Sequence, residues 1–466
     1  MPASSDFFDV RPQVSPPLDS TFVPAASWNR SYANLVAACG SPVPIRFALE
    51  QSAGSIFCHN SEILPPQHPQ AHLNFRFAER LLKFLLWSRG GHRVFFDGPL
   101  ELGVELRSHF TATTTGRFDA DFMGTVYEHP FEVILTTDLP SEQDSARQLG
   151  RHLDGCRIGF DLGGSDRKVA AVIDGEVVFS EETAWDPYYQ EDPAYHHSGI
   201  ADSLKKAASH LPQIEAIGGS SAGVYVENQP RVASLFRGVP DDIFDKKVKP
   251  MFRNFAKEWN VPFEVINDGD VTALAGSMSL GENAVLGLAM GTSEATGYVN
   301  SEGKVTTWLN ELAFAPVDYA ENAPADEWSG DLGCGAQYFS QQAVGRLLSP
   351  AGIDLPTDLS LPEKLIETQS LMASDDPRAR KVYETIGVYL GYGVAHYADL
   401  YNLRNLLLLG RVTSGQGGEI ILDQAANVLK TEFPELAERV AFHVPNEKDK
   451  RHGQAIAAAS LPIIER

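Results

Sequence analysis

The sequence is short of basic residues. Its 466 residues include 38 Lys and Arg against 61 Asp and Glu, which gives a formal net charge of −23. A chain with this charge repels nucleic-acid phosphates and anionic lipids unless basic groups cluster locally. The first 150 residues, where a DNA-binding module could lie, also carry more acidic than basic residues, 16 against 11. We therefore expect no nucleic-acid partner.

Cysteines and long apolar runs are also scarce. The four cysteines form no CxxC pair, so the sequence indicates neither a disulfide framework nor a zinc knuckle, and a reducing, cytoplasmic location is expected. The longest apolar runs, around 81–87 and 406–409, fall well short of the roughly 18 residues that a membrane helix requires. The N-terminus lacks the basic start and apolar run of a signal peptide. We expect no membrane partner.

The domain organisation follows from changes in composition along the chain. Residues 1–28, rich in proline and serine, predict a disordered tail. Residues 29–155 predict an accessory α/β module, in which helical spacing of apolar residues over 72–87 predicts a buried helix. This module contains no recognisable chemical motif. From residue 156 onward strands alternate with helices, which is typical of layered α/β folds.

The first chemical motif is DLGGSDRK, in which Asp161 ends an apolar strand and Gly163, Gly164 and Ser165 form a tight hairpin. Glycines let backbone N–H groups approach an anion, and the hydroxyl adds a donor. Asp161 could hold Mg²⁺ through water. The pattern GxxxxGK[ST] is absent, so this is not a Walker loop. An ordinary hairpin explains the motif equally well, and Lys168 is expected to form a surface ion pair rather than a phosphate contact.

The second motif is EVINDGDVTALAG, in which a short strand delivers Asn267 and Asp268 to a loop before a helix. Ligands of α/β proteins usually bind at the carboxyl edge of the sheet, where this loop is expected to lie. Asp268 could accept a proton from a hydroxyl nucleophile. Asp270 is a plausible N-cap of the helix. Considered alone, helix capping by these residues is the simpler interpretation.

Two further glycine-rich turns follow. Gly291, Thr292 and Ser293 make a second hairpin suited to phosphate oxygens, and Gly410 and Arg411 begin a strand-to-helix turn that could admit an adenine ring. Considered separately, the hairpin is better explained as a plain turn, and a βα connection explains the second turn at least as well.

Taken in order, the four motifs resemble those of the actin-like ATPase superfamily, and within it the ROK family of sugar kinases and their relatives. The resemblance runs from about residue 157 to the C-terminus. It implies a two-lobed actin-like ATPase (ribonuclease H-like) α/β fold with an extra N-terminal α/β module. Lobe 1 would span 156–283 and lobe 2 would span 284–466.

The resemblance also implies an activity, an ATP-dependent sugar kinase that uses Mg²⁺, with Asp268 as the catalytic base. It places ATP and its phosphates at Asp161, Gly163, Gly164, Ser165, Gly291, Thr292, Ser293, Gly410 and Arg411. It places the sugar at Ser221, Asn267, Asp268 and Glu311. The expected partners are therefore ATP and a small sugar, and a homo-oligomer is an open option.

The sequence departs from the ROK pattern on the sugar side. The family's Glu-x-Gly-His motif keeps its glutamate as Glu311, but Phe314 replaces the histidine. Of the cysteine-rich zinc loop only Cys334 remains, so we predict no zinc site. Arg411 replaces a glycine of the adenosine loop, and Ala295 replaces one of the phosphate loop.

Two alternatives to the kinase stay open. The first is a non-catalytic sugar sensor on the same fold, and the second is an ATPase whose closure drives a partner. The presence of Asp161, Asp268 and Glu311 together favours the kinase. Trp328 is predicted either to stack on a sugar ring or to lie on a solvated loop.

Overall fold

The computed structural model describes residues 10–143, 149–444 and 450–464. The accessory module comes first, and its sheet has the order β2-β1-β3-β4, with only β3 and β4 parallel. Its elements are α1 (Ala25–Ala38), β1 (Val43–Glu50), β2 (Ile56–Ile63), α2 (Leu73–Arg89), β3 (Arg93–Asp97), α3 (Leu100–Ala112), α4 (Thr114–Tyr127) and β4 (Glu132–Leu135). The predicted helix over 72–87 is α2, which ends at Gly90 in the left-handed region at φ 80°.

Lobe 1 is built on a five-stranded sheet of order β11-β8-β5-β6-β7. Strands β11, β8 and β5 are parallel, and β6 and β7 continue as an antiparallel meander. The elements are β5 (Cys156–Leu162), β6 (Asp166–Ile173), β7 (Glu176–Ala184), α5 (Ala194–Ala208), β8 (Ala216–Ser221), β9 (Val224–Val226), β10 (Gln229–Val232), α6 (Asp241–Ile243), α7 (Met251–Trp259), β11 (Phe263–Asn267) and α8 (Asp268–Leu280).

Lobe 2 has a four-stranded sheet of order β13-β12-β14-β15, in which only the β12–β13 pair is antiparallel. Its elements, followed by the last helix, are β12 (Val285–Met290), β13 (Glu294–Val299), α9 (Gln341–Leu348), α10 (Leu361–Ala373), α11 (Pro377–Ala398), β14 (Asn405–Leu409), α12 (Gln416–Glu432), α13 (Pro434–Ala437), β15 (Ala441–His443) and α14 (Lys450–Ala459). None of the helices in the described parts of the chain combines the length and the hydropathy that a membrane crossing requires.

Helix α14 returns to lobe 1, so the boundary predicted for lobe 2 does not hold for it. The helix packs across β5, β6 and β8. A Cβ atom on Gly159 would lie 1.7 Å from the carbonyl oxygen of Ala455, and one on Gly218 would lie 1.7 Å from that of Ala458. Glycine in these two central strands therefore lets the helix backbone lie directly on the sheet.

The N-terminal segment is not a free tail in its described part, which corrects the prediction for residues 1–28. The backbone N–H of Leu18 donates to Thr385 Oγ1 at 3.2 Å, and the hydroxyl of Tyr389 donates to Asp19 Oδ2 at 2.6 Å. The composition is indeed rich in proline and serine, but the apolar side chains spaced between them pack on the helices of lobe 2. The first nine residues of the predicted tail lie outside the described residues.

The accessory module and lobe 2 share one hydrophobic core, whereas lobe 1 has a core of its own. Helix α1 packs on α11, and α2 packs on the loop that contains Phe314. The accessory module is therefore built into one side of lobe 2 and is not a separately tethered domain.

Candidate active site

Three parallel strands of lobe 1 end at the same edge of the sheet. In the parallel register Asp161 lies opposite Ser220, and Ser221 lies opposite Asn267. Asp268 follows directly as the first residue of α8. The sheet register thus gathers at one edge the carboxyl, hydroxyl and amide groups that the motifs single out along the sequence.

Asn267 is the N-cap of α8. Its Oδ1 accepts the backbone N–H of Gly269 at 2.7 Å, and its Nδ2 donates to the carbonyl oxygen of Gly223 at 2.8 Å. The amide therefore fixes both the start of the helix and the turn after β8. A sugar hydroxyl that bound Asn267 would have to share its amide oxygen or nitrogen with these two backbone groups. The hydroxyl of Ser221 is likewise engaged, since it accepts from Tyr225 Oη at 2.6 Å.

The structure corrects the expectation that Asp270 caps this helix. Asp270 is buried in the first turn, where its Oδ1 accepts from the backbone N–H of Tyr298 at 3.2 Å and from Asn310 Nδ2 at 2.9 Å. Burial raises the pKa of Asp270 to about 8. Asp270 therefore joins α8 to the β13 side of lobe 2, and the cap falls one turn earlier, at the asparagine.

Asp268 is half-buried, and its charge interacts with those of two other carboxyl groups. Burial and the nearby charge of Asp161 raise the pKa of Asp268 to about 6. Burial and the charge of Asp268 in turn raise the pKa of Glu311 to about 7. A neighbouring negative charge raises the pKa of an acid most strongly where the acid is shielded from water. Asp161, Asp268 and Glu311 thus form a single electrostatic unit.

The first glycine hairpin lies beside Asp161 and under two aromatic residues. Gly163 donates its N–H to the carbonyl oxygen of Asp166 at 3.0 Å, and its own carbonyl oxygen accepts Trp185 Nε1 at 2.7 Å. A Cβ atom on Gly164 would lie 2.0 Å from the hydroxyl oxygen of Tyr188. Sequence reasoning missed both aromatic residues, although the WDPYY run was a visible signal.

The polar side chains of this hairpin are paired with each other. Ser165 Oγ donates to Asp166 Oδ2 at 2.8 Å, and Lys168 Nζ lies 2.8 Å from Asp166 Oδ1. The expected ion pair of Lys168 is therefore confirmed. The ammonium also lies 3.9 Å from Asp161 Oδ2, which places it at the edge of the candidate site.

The two turns of lobe 2 lie next to each other. Strands β12 and β14 run parallel with Ala289 opposite Leu409, so the hairpin of Gly291, Thr292 and Ser293 lies beside Gly410. Gly410 has φ +97°, and a Cβ atom there would lie 2.4 Å from the carbonyl oxygen of Met290. Arg411 begins a short 3-10 turn after this glycine.

The accessory module positions the loop of Glu311. The carbonyl oxygens of Trp87 and Ser88, at the end of α2, accept the backbone N–H groups of Glu311 and Asn310 at 2.9 and 3.0 Å. The ring of Phe314 stacks on Trp87 with centroids 4.3 Å apart. Sequence reasoning gave the module no role, because these bonds join residues more than two hundred positions apart.

The shortened zinc loop faces a buried ion-paired cluster, which we define as Arg80, Lys83, Asp119 and Asp331. Lys83 Nζ lies 3.0 Å from Asp119 Oδ1 and 2.8 Å from Asp331 Oδ2. Arg80 Nη2 lies 3.0 Å from Asp331 Oδ2. A lysine of the accessory module therefore neutralises the carboxylates near buried Cys334. Trp328 is 77% exposed, in agreement with the solvated-loop alternative.

Two solved protein structures are similar to this chain. A ROK hexokinase from Thermus thermophilus matches with a TM-score of 0.51 and 18% identity, over 65% of this chain and 96% of that one. A ROK-family transcriptional regulator, a homologue of the MLC protein of E. coli, matches with a TM-score of 0.51 and 19% identity, over 66% of this chain and 79% of that one. No family model matches the sequence, and no curated protein does.

These matches confirm the predicted fold. The chain has the mixed α/β, two-lobed fold of the ROK hexokinase and of the ROK regulator. Since the fold is shared by a hexokinase and a regulator, it does not by itself decide between catalysis and regulation.

Proposed function

We propose that the protein is an ATP-dependent sugar kinase with Asp268 as its general base. The observation that carries the proposal is the position of Asp161 and Asp268 at the carboxyl edge of the lobe 1 sheet, together with Glu311, a lobe 2 carboxyl on which the charge of Asp268 acts. A base works best when its pKa lies near the working pH. Burial and Asp161 bring the pKa of Asp268 to about 6, which keeps its carboxylate basic yet mostly ionised at neutral pH.

The proposed reaction is one in-line transfer. Asp268 takes the proton of a sugar hydroxyl while the hydroxyl oxygen forms a bond to the γ-phosphorus of ATP. The bond between the γ-phosphorus and the bridging oxygen breaks, and ADP leaves with its electron pair. The hairpins around Gly163 and Gly291 would hold the phosphates from the two lobes, since this chemistry needs mainly positioning and charge stabilisation.

Asp161 suits a hydrated Mg²⁺ ion. Its Oδ1 accepts from Ser220 Oγ at 2.7 Å, while Lys168 lies 3.9 Å from Oδ2, which leaves this oxygen a water-mediated role. The ion, when bound, supplies neutralisation of phosphate charge. Glu311 would bind a sugar hydroxyl on the other side of Asp268, on the loop that the accessory module holds.

The test is ADP release from Mg-ATP across a panel of hexoses, amino sugars and polyols, with Asp268→Asn measured in parallel. We expect one sugar class to stimulate release, and the variant to lose roughly 10²–10⁴-fold of that rate while it still binds the same sugar in a thermal-shift assay. Retention of the full rate by Asp268→Asn would contradict the assignment of the base.

A non-catalytic sugar sensor is the second candidate, favoured by the fold shared with a ROK regulator. It predicts that a sugar raises the melting temperature without stimulating ADP release at any ATP concentration. The same panel therefore separates the two functions.

A further inference from the structure

Asn310 directly precedes Glu311 and is a buried polar residue that the proposed mechanism does not use. It is 2% exposed, and its φ of 52° lies in the left-handed region. Glycine adopts this backbone conformation most readily, so the turn itself does not require an asparagine. The amide side chain therefore needs an explanation of its own.

The side chain of Asn310 connects two buried groups from distant parts of the chain. Its Nδ2 donates to Asp270 Oδ1 at 2.9 Å, in the first turn of α8, and its Oδ1 accepts from the hydroxyl of Tyr401 at 2.9 Å. Tyr401 is covered in turn by Arg89 of the accessory module, whose guanidinium carbon lies 4.4 Å from the centre of the tyrosine ring. The amide is therefore held at both of its polar atoms.

The backbone of Asn310 is held on two further sides. Its N–H donates to the carbonyl oxygen of Ser88 at 3.0 Å, and its carbonyl oxygen accepts from Thr296 Oγ1, on β13. The first turn of α8 lies directly on the same strand, since a Cβ atom on Gly297 would lie 2.3 Å from the carbonyl oxygen of Gly269. Short, buried hydrogen bonds thus join this loop to the start of the helix.

The contact restrains two acids that the proposed reaction uses. Asp268 and Asp270 lie in the same helical turn, so a bond to the second restrains the backbone of the first. Glu311 is the next residue after Asn310, and its own backbone N–H is held by the accessory module. Separation matters here, because a misplacement of about 1 Å can cost about 10²-fold in rate.

We infer that Asn310 is a positioning residue for the proposed reaction, and that its amide fixes the sugar-binding Glu311 relative to the helix that presents the base Asp268. This inference rests on the proposed function and deepens it. Asn310 contributes no group to the sugar or to ATP, and it acts through the two acids.

Asn310→Gly tests the inference, because it removes the amide and keeps a residue that accepts the left-handed backbone. Well below the melting temperature of each protein, we expect kcat with the stimulating sugar and Mg-ATP to fall by about 10²-fold. The affinity for that sugar, measured by calorimetry without ATP, should fall by only about three- to tenfold, the cost of ordering a side chain that is no longer held in place. A fall in kcat no larger than the fall in affinity would overturn the inference.

Asp270 supplies the second half of the test. Asp270→Ala removes the acceptor and should lower kcat about as much as Asn310→Gly. The double variant should be no slower than either single variant, because all three lose the same bond. Asp270→Asn keeps an acceptor oxygen and should retain most of the rate. Losses that multiply in the double variant would show that the two residues act separately, against the inference.

Asn228→Gly is the matched control. Asn228 is also left-handed, with φ 60°, and its amide donates to the carbonyl oxygen of Phe263 at 2.7 Å and accepts the N–H of Val265 at 2.6 Å. Both bonds go to β11 and not to the loop of Glu311. The variant should lower the melting temperature without separating kcat from affinity. A separation equal to that of Asn310→Gly would assign the effect to general loosening and overturn the inference.

Failure of the kinase proposal remains distinguishable. Sugar binding that weakens three- to tenfold in Asn310→Gly, in a chain that releases no ADP, would reject the kinase and keep Asn310 as a positioning residue of the sugar site. Sugar-dependent ADP release that requires Asp268 but is unchanged in Asn310→Gly would do the reverse. Binding of no sugar at all would overturn both.

Discussion

Two groups of buried carboxyls in this molecule differ in one respect, the presence of cations. In the ion-paired cluster, Lys83 and Arg80 hold the pKa of Asp331 well below its usual range although burial alone would raise it. In the acid cluster, which we define as Asp268, Asp270, Glu294 and Glu311, burial and mutual repulsion raise the pKa values to between about 6 and about 8. The first arrangement is typical of structure, and the second is typical of a site that awaits a ligand or a proton.

The largest change in stability is expected when the buried lysine of the ion-paired cluster is removed. Lys83→Met leaves Asp119 and Asp331 buried with only Arg80 to compensate them, so the free energy of unfolding should fall by about 3–5 kcal/mol. Urea denaturation measures this. The double variant Lys83→Met/Asp119→Leu should recover part of the loss. A single variant within about 1 kcal/mol of the wild type would mean that the buried lysine contributes no more than a surface ion pair.

The pH dependence of stability should have opposite signs at Asp270 and at Asp331. Asp270 keeps its proton in the folded protein up to about pH 8, whereas the unfolded chain releases it near the ordinary aspartate pKa. The folded state therefore binds more protons, and stability should fall as pH rises across this window. Asp331 does the opposite, since its contribution is present above the unfolded pKa and is lost as pH falls through its depressed folded value.

The variant Asp270→Asn tests how much of the pH dependence of stability comes from Asp270. It should reduce the loss of stability between about pH 5 and pH 7 by up to about 1.4 kcal/mol per pH unit, the effect of one proton. Asp331→Asn should leave the slope in that range unchanged. Urea midpoints at several pH values provide the measurement. An unchanged slope in Asp270→Asn would show that this aspartate is ionised in the folded protein.

An ion-paired set whose acidic member is exposed gives the smallest expected effect. Glu128, at the end of α4, pairs with Arg231, and its Oε1 lies 3.2 Å from Lys249 Nζ, so the accessory module also reaches lobe 1. The side chain of Glu128 is 46% exposed, so water screens its charge, although the side chain of Arg231 is only 7% exposed. Glu128→Gln should therefore change the free energy of unfolding by less than about 1 kcal/mol in the same assay. If Glu128→Gln lost as much unfolding free energy as Lys83→Met, this contact would stabilise the protein as strongly as the buried cluster does.

Features that depend on residues close together in the sequence could be predicted. Strand ends followed by acids or glycines placed Asp161, Asp268, Gly291 and Gly410 at sheet edges, and the structure has them there. The order of these motifs along the chain was sufficient to predict the fold. The ligands and roles of these residues remain predictions.

Features that depend on distant contacts were not predictable. The buried position of Asp270 depends on Asn310 and β13, and the position of Glu311 depends on carbonyl groups at the end of α2. Glu294 was visible in its motif, but only the fold shows that one of its oxygens has no partner. Local propensity carries no information about such pairings.

The return of α14 to lobe 1 affects the order in which the protein assembles during synthesis. Arg157, in the first strand of lobe 1, donates through Nη1 to the carbonyl oxygen of Pro462 at 2.8 Å, 305 residues later. Contacts this far apart in sequence form late. Strands β5 and β8 leave the ribosome with their glycine-lined face uncovered and keep it so until lobe 2 has been translated. Lobe 1 therefore stays open to chaperones and proteases until the C-terminal helix has been made.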